Sequence, residues 1–266
     1  MMKILHLSDL HVEPVGKLAY ARANTARRMI ELTEWLAQHK DEYDAIAVSG
    51  DLSCDGNIDS YHLIDAIFRS LPKPCFMVPG NHDRRKPFLE CLSHFCPNVY
   101  SPENLSFSVD LGDYRLFMLD TLQPGIHWGA LPDGVLDWLE AEMKNTNKPS
   151  LVFCHHTPVK PGMGYMDEPF GNGDRFIEIL SQRPDVRYLP SEPVKSSDYL
   201  EYYLEREAVR TMECLERLSD MVMVDTSAAP LASSRKILQQ ADLVVVNLNQ
   251  NLPLLSHFFR NYSSIQ

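Results

Sequence analysis

Short apolar runs, each closed by a polar loop, recur along the first two thirds of the chain. Lys3 to Leu7 runs into Ser8 and Asp9, and Asp44 to Val48 into Ser49-Gly50-Asp51. Cys75 to Val78 runs into Pro79-Gly80-Asn81-His82-Asp83, and Leu151 to Cys154 into His155-His156-Thr157-Pro158. Runs of this length bounded by turn residues predict buried strands. Between the first three, the apolar period changes to that of a helix. Asn24 caps a predicted helix through about His39, with Met29, Ile30, Leu32, Trp35 and Leu36 at helical spacing. Ile58 to Leu71 predicts a second helix, closed by Pro72 and Pro74. Leu105 to Val109 and Arg115 to Leu119 flank Gly112-Asp113 as a hairpin, followed by a helix around Val135 to Met143. Pro158 to Gly173 is a long loop of the kind more often functional than structural, and a helix follows from Asp174 to Gln182.

Strand and helix in alternation predict an α/β fold with parallel pairing, in which ligands sit beyond the carboxyl ends of the strands. The pattern changes near Pro190. Ser196 or Ser197 caps a long charged helix through about Leu218; Met221 to Val224 and Asp242 to Leu248 predict strands, with helices at Ser233 to Gln240 and Leu252 to Tyr262. Two domains are expected, 1–188 and a small β-α-β-α tail over 191–266.

Composition narrows the function. The 266 residues, 44% hydrophobic and 23% charged, fit a soluble globular protein. No apolar stretch approaches the roughly 20 residues that span a bilayer, and the first residues lack the pattern of a leader, so a cytoplasmic address and no membrane partner are expected. Six scattered cysteines without a C-x-x-C pair argue against a disulfide framework or a thiolate zinc site. A net charge of −11 argues against binding duplex nucleic acid. An excess of carboxylates can instead surround a cationic cofactor, or be no more than a solvated surface.

The candidate chemistry lies in four strand-end loops: Asp9-Leu10-His11, Gly50-Asp51, Gly80-Asn81-His82-Asp83 and His155-His156. Singly, each has a plain reading as a turn, a cap or a core histidine pair. Jointly they offer carboxylate, imidazole and amide oxygen, a donor set suited to Mn, Fe, Co or Zn. A pair of such ions about 3.5–4 Å apart supplies both a nucleophile and positive charge for hydrolysis of a phosphate ester.

These motifs resemble those of the calcineurin-like metallophosphoesterases, within them the class III cyclic nucleotide phosphodiesterases and bacterial glycerophosphodiesterases. The resemblance runs from Ile4 to about Val186 and includes Phe88-Leu89-Glu90 and Met166-Asp167. It implies an α/β/β/α sandwich, and two divalent metal ions: Asp9 and His11 on one, Asp51 bridging both, Asn81 and His155 on the second. His82 would be the proton donor or charge stabiliser for the leaving oxygen. The implied activity is hydrolysis of a small phosphodiester, a cyclic nucleotide or glycerophosphodiester, by a metal-bound hydroxide.

The family pattern then breaks. Its closing Gly-His-x-His loop, one histidine to each metal, has no counterpart here; the only histidine after His156 is His257. The sandwich is therefore expected to be incomplete, with Glu192 in register to replace one ligand, or a second chain in an oligomer to lend them. The alternative function is a catalytically impaired relative that serves as a binding or interaction protein. The tail, with Asp225-Thr226 and Ala241 to Asn251, resembles the C-terminal half of MinD/ParA-like ATPases, yet no G-x-x-x-x-G-K-[ST] cradles a nucleotide.

Overall fold

The computed structural model describes residues 2–158 and 170–183, together with the backbone of three strands, Tyr188–Leu189, Met223–Val224 and Val244–Leu248. The first sheet is built from β1 (Lys3–Leu7), β2 (Ala45–Ser49) and β3 (Cys75–Val78), all parallel, in the order β3-β2-β1. Every residue of β2 and β3 is buried, as expected of parallel strands covered on both faces. The second sheet pairs β4 (Phe107–Leu111) antiparallel with β5 (Tyr114–Leu119), and β5 parallel with β6 (Ser150–Cys154).

The two sheets face one another through β3 against β5 and β2 against β6. The two-residue period of β5 divides the interior: Leu116 and Met118 join the core between the sheets, whereas Phe117 and Leu119 face a second core with α4 (Asp133–Lys144) and α5 (Gly173–Ser181). On the opposite side, α1 (Thr25–Gln38), α2 (Ile58–Arg69) and α3 (Arg85–Leu92) cover the first sheet with Met29, Leu32, Ile64, Phe68 and Phe88. The result is the expected helix, sheet, sheet, helix layering of an α/β fold.

Several local expectations need adjusting. Asn24 does cap α1, its side chain accepting from Arg27 N at 3.0 Å, but Ile30 lies outside the buried face and is exposed. The sequence reading contains no helix at α3. Its third residue is Pro87, whose missing N–H has no intrahelical partner in a first turn anyway. In the tail, β7 (Tyr188–Leu189) and β8 (Met223–Val224) pair in parallel. Strand β9 (Val244–Leu248) adds to the first sheet beside β1, Lys3 opposite Val244 through Leu7 opposite Leu248. The expected helices of the tail, Asp225-Thr226, His257, Glu192 and positions 159–169 of the long loop lie outside the described residues.

Candidate functional site

Because β1, β2 and β3 run parallel, their carboxyl ends open on one edge, and β6 brings a fourth loop to the same place. Backbone bonds lace the first two loops together: Asp9 N to Gly50 O at 3.1 Å, His11 N to Asp51 O at 2.8 Å and Val12 N to Leu52 O at 2.8 Å. Two glycines permit the convergence. A Cβ on Gly80 would lie 2.3 Å from Asp51 Oδ1, and one on Gly50, where φ is +94°, 2.6 Å from the His155 ring.

Asp51 is the centre of the arrangement. Its Oδ2 is faced by three imidazole Nε2 atoms, of His155 at 3.4 Å, His11 at 3.7 Å and His82 at 3.9 Å. Asp9 Oδ1 lies 3.8 Å from His11 Nε2, and Asn81 Oδ1 lies 3.2 Å from His155 Nε2. Two groups of ligand atoms, His11-Asp51-His82 and Asp9-Asp51-His155, each fall within 4.8 Å. The structure thus brings together Asp9, His11, Asp51, Asn81, His82 and His155, all drawn from the four loops.

The donor set fits divalent cations. His155 Nδ1 bonds the Ser49 carbonyl at 3.0 Å, and a carbonyl only accepts, so Nδ1 carries a proton. Neutral His155 then turns a lone pair toward the amide oxygen of Asn81, acceptor against acceptor, an arrangement relieved by a proton or a cation between them. Without metal the proton serves. Burial would lower the His155 pKa, but Asp51 outweighs it and raises it to about 9. Burial likewise opposes ionisation of Asp51, and the His155 hydrogen bond and charge hold its carboxyl below the usual range. The spacings of 3.4 and 3.7 Å from Oδ2 to His155 and His11 exceed hydrogen-bond lengths. They match the separation of ligand atoms that share an ion at roughly 2.0–2.2 Å from each.

His82 is held differently. Its Nδ1 bonds the Cys54 carbonyl at 2.8 Å, its backbone N–H donates to Asp51 Oδ1 at 3.0 Å, and Nε2 remains open toward the site. His156, the second histidine of its pair, turns to Thr121 Oγ1 at 2.7 Å, and burial lowers its pKa to about 4.

Two further residues were not identified from the sequence. Asp83 is buried and accepts from Leu52 N at 3.0 Å, Gly80 N at 2.9 Å, Ser53 N at 3.0 Å and Tyr61 Oη at 2.8 Å. It therefore ties the Asp51 loop to the Asn81 loop; burial pushes its carboxyl up to about 6. Tyr20 reaches His11 Nδ1 with its hydroxyl at 3.2 Å. The only sequence cue to Asp83 was its place in Gly-Asn-His-Asp, and Tyr20 had none.

The site also concentrates backbone strain. Asp9, His11, Tyr20, Ala21 and Asp51 all have positive φ, between 42° and 56°. Left-handed backbone at a non-glycine residue costs on the order of 1–3 kcal/mol and persists only where surrounding bonds enforce it.

Residues 2–189 match the family described as Calcineurin-like phosphoesterase. The chain is 31% identical over 189 residues to the glycerophosphodiester phosphodiesterase GpdQ of Enterobacter lignolyticus, covering 70% of this chain and 68% of that protein. It is 29% identical over 169 residues to a probable GpdQ of Arcobacter nitrofigilis, covering 62% and 61%. It is 30% identical over 189 residues to the 3',5'-cyclic adenosine monophosphate phosphodiesterase CpdA of Pseudomonas aeruginosa, covering 70% and 66%. The chain thus spans 61–68% of the length of these curated relatives.

Proposed function

The chain belongs to the calcineurin-like phosphoesterase family, whose members depend on divalent metal, and from that premise we propose that it hydrolyses small phosphodiesters. The observation that carries the reading is the convergence of three imidazole Nε2 atoms on Asp51 Oδ2, with Asp9 and Asn81 oxygens beside them. In this reading Asp9 and His11 hold one ion, Asn81 and His155 the other, and Asp51 is common to both. The mixed oxygen and nitrogen donors suit Mn, Fe, Co or Zn. When bound, such ions supply a nucleophile at neutral pH and positive charge against the phosphoryl oxygens.

The chain's own residues do the rest. Ser49 O fixes the His155 tautomer, Cys54 O fixes that of His82, and each ring is thereby aimed with Nε2 into the site. His82, not counted among the ligands, turns Nε2 toward the site and, as the doubly protonated imidazolium, would donate from it to the departing alkoxide oxygen. The substrate class is supported by relatives named for glycerophosphodiesters and for cyclic AMP. Residues 1–188 would form the catalytic domain and 191–266 an appended unit, of which β9 extends the first sheet.

The test is hydrolysis of bis(p-nitrophenyl) phosphate in added Mn²⁺. Asp51→Ala is expected to lower the rate by more than about 100-fold, the upper range for losing mere support of a ligand. Equal rates in the two proteins would refute the reading. A second reading, an impaired relative that binds without turnover, is favoured by one observation: beyond His156 the sequence offers only His257 and no Gly-His-x-His. It predicts no diester hydrolysis by the wild type in any of the four metals.

A further inference from the structure

Three imidazoles point Nε2 toward Asp51, and each spends Nδ1 on one outside partner. For His82 and His155 that partner is a backbone carbonyl, which only accepts. For His11 it is the phenol oxygen of Tyr20 at 3.2 Å, the two rings meeting edge to face with centroids 5.4 Å apart. If His11 takes the same tautomer as the other two, its Nδ1–H donates to Tyr20 Oη. The phenol then accepts one bond and keeps its own O–H to give elsewhere. A carbonyl in the same place would have no proton to offer.

What surrounds that hydroxyl suggests where the proton goes. Tyr20 is 65% exposed, yet its oxygen stands at His11, within range of the charges on Asp51 and Asp9. The backbone holds it there under strain. Ala19 is buried and closes a tight loop onto Ala23 through bonds of 2.8 and 3.0 Å, leaving Tyr20 and Ala21 consecutively at φ 49° and 55°. A tyrosine meant only to cover surface needs neither the left-handed backbone nor the bond to His11. Observed strain of this kind is a pointer to function.

We propose that Tyr20 is a substrate-binding residue: its phenol oxygen accepts from His11 Nδ1–H while its O–H donates to a phosphoryl oxygen of the bound phosphodiester. The assignment rests on the phosphodiesterase reading and adds a side chain to it. Tyr20 belongs to the open side of the site, so it acts on what enters from solvent. Its contribution is to substrate affinity and placement, whereas Asp51 and the imidazoles determine whether metal is held.

The experiment uses the full chain loaded with Mn²⁺, as wild type and as Tyr20→Phe, with three readouts: bound Mn, KM and kcat for bis(p-nitrophenyl) phosphate, and Kd for inorganic phosphate by calorimetry. Removing one hydrogen bond to a charged group is expected to weaken phosphate binding and raise KM about tenfold. Bound Mn should stay unchanged, because solvent reaches the exposed Tyr20 side and water can take the place of the phenol at His11 Nδ1. Phosphate Kd and KM within twofold of wild type would overturn the proposal. So would a loss of Mn in Tyr20→Phe that accounts for the weaker binding, since Tyr20 would then act only through His11. If wild type turns over no diester but the phosphate Kd still rises in the variant, the Tyr20 assignment stands and the phosphodiesterase reading is what fails. Wild type that binds no phosphate at all overturns both.

Discussion

The inner and outer halves of the centre are built on opposite principles. The inner half, Asp51 with Asn81 and His155, is packed at the strand ends, where glycines make room for side chains and Asp83 collects three backbone donors from the two loops and the Tyr61 hydroxyl from α2. The outer half, Asp9 with His11 and Tyr20, hangs from the end of β1. There Asp9 is 52% exposed and His11 leans on an exposed phenol. On the proposed reading, burial would secure the position of the Asp51 carboxylate, while the exposed side would admit substrate and exchange water. Stability and metal binding would then be coupled in the inner half and separable in the outer half.

The largest effect should come from striking the inner half without touching a ligand. Asp83→Ala leaves three backbone N–H groups and the Tyr61 hydroxyl buried without their acceptor. It is expected to cost about 3 kcal/mol in denaturant unfolding, within the range for a broken buried network. Asp9→Asn, on the exposed side and still tolerant of the left-handed backbone there, should stay within about 0.5 kcal/mol in the metal-free protein. Equal losses at the two positions would erase the distinction between halves.

A smaller effect follows from His155. Its pKa in the metal-free fold is raised from 6.5 to about 9, so the stabilisation it contributes is complete below about 6.5 and is lost as pH rises through about 9. The melting temperature of the metal-free protein should fall by a few degrees over that window, as part of the total pH dependence assigned to this ring by comparison with His155→Gln. Metal binding at pH 7 should release a proton from the same ring, visible as a buffer-dependent calorimetric heat. A heat independent of the buffer would mean that His155 is already neutral.

Much of this architecture was legible because its strands are short, largely apolar and punctuated by Gly, Asp, Asn and His. Cys75–Val78 matches its expected bounds, and β2 differs from its expected span by one residue. The helix at Arg85–Leu92 was not legible, since Arg84-Arg85-Lys86-Pro87 has the composition of a loop and the first-turn proline hides the start. Residues whose role depends on a distant partner were also out of reach. Asp83 acts on Leu52 and Ser53 about 30 positions away, and β9 pairs with β1 from the far end of the chain. No local period encodes either. Tyr20 shows the same limit at short range, because only the fold of its loop turns the phenol back onto His11.

Equilibrium titration of the metal-free chain with Mn²⁺ bears most directly on the shared role of Asp51. If its carboxylate serves two cations at once, wild type takes up close to two equivalents and Asp51→Ala loses both together. An Asp51→Ala protein that still binds two equivalents with unchanged affinity would contradict the account.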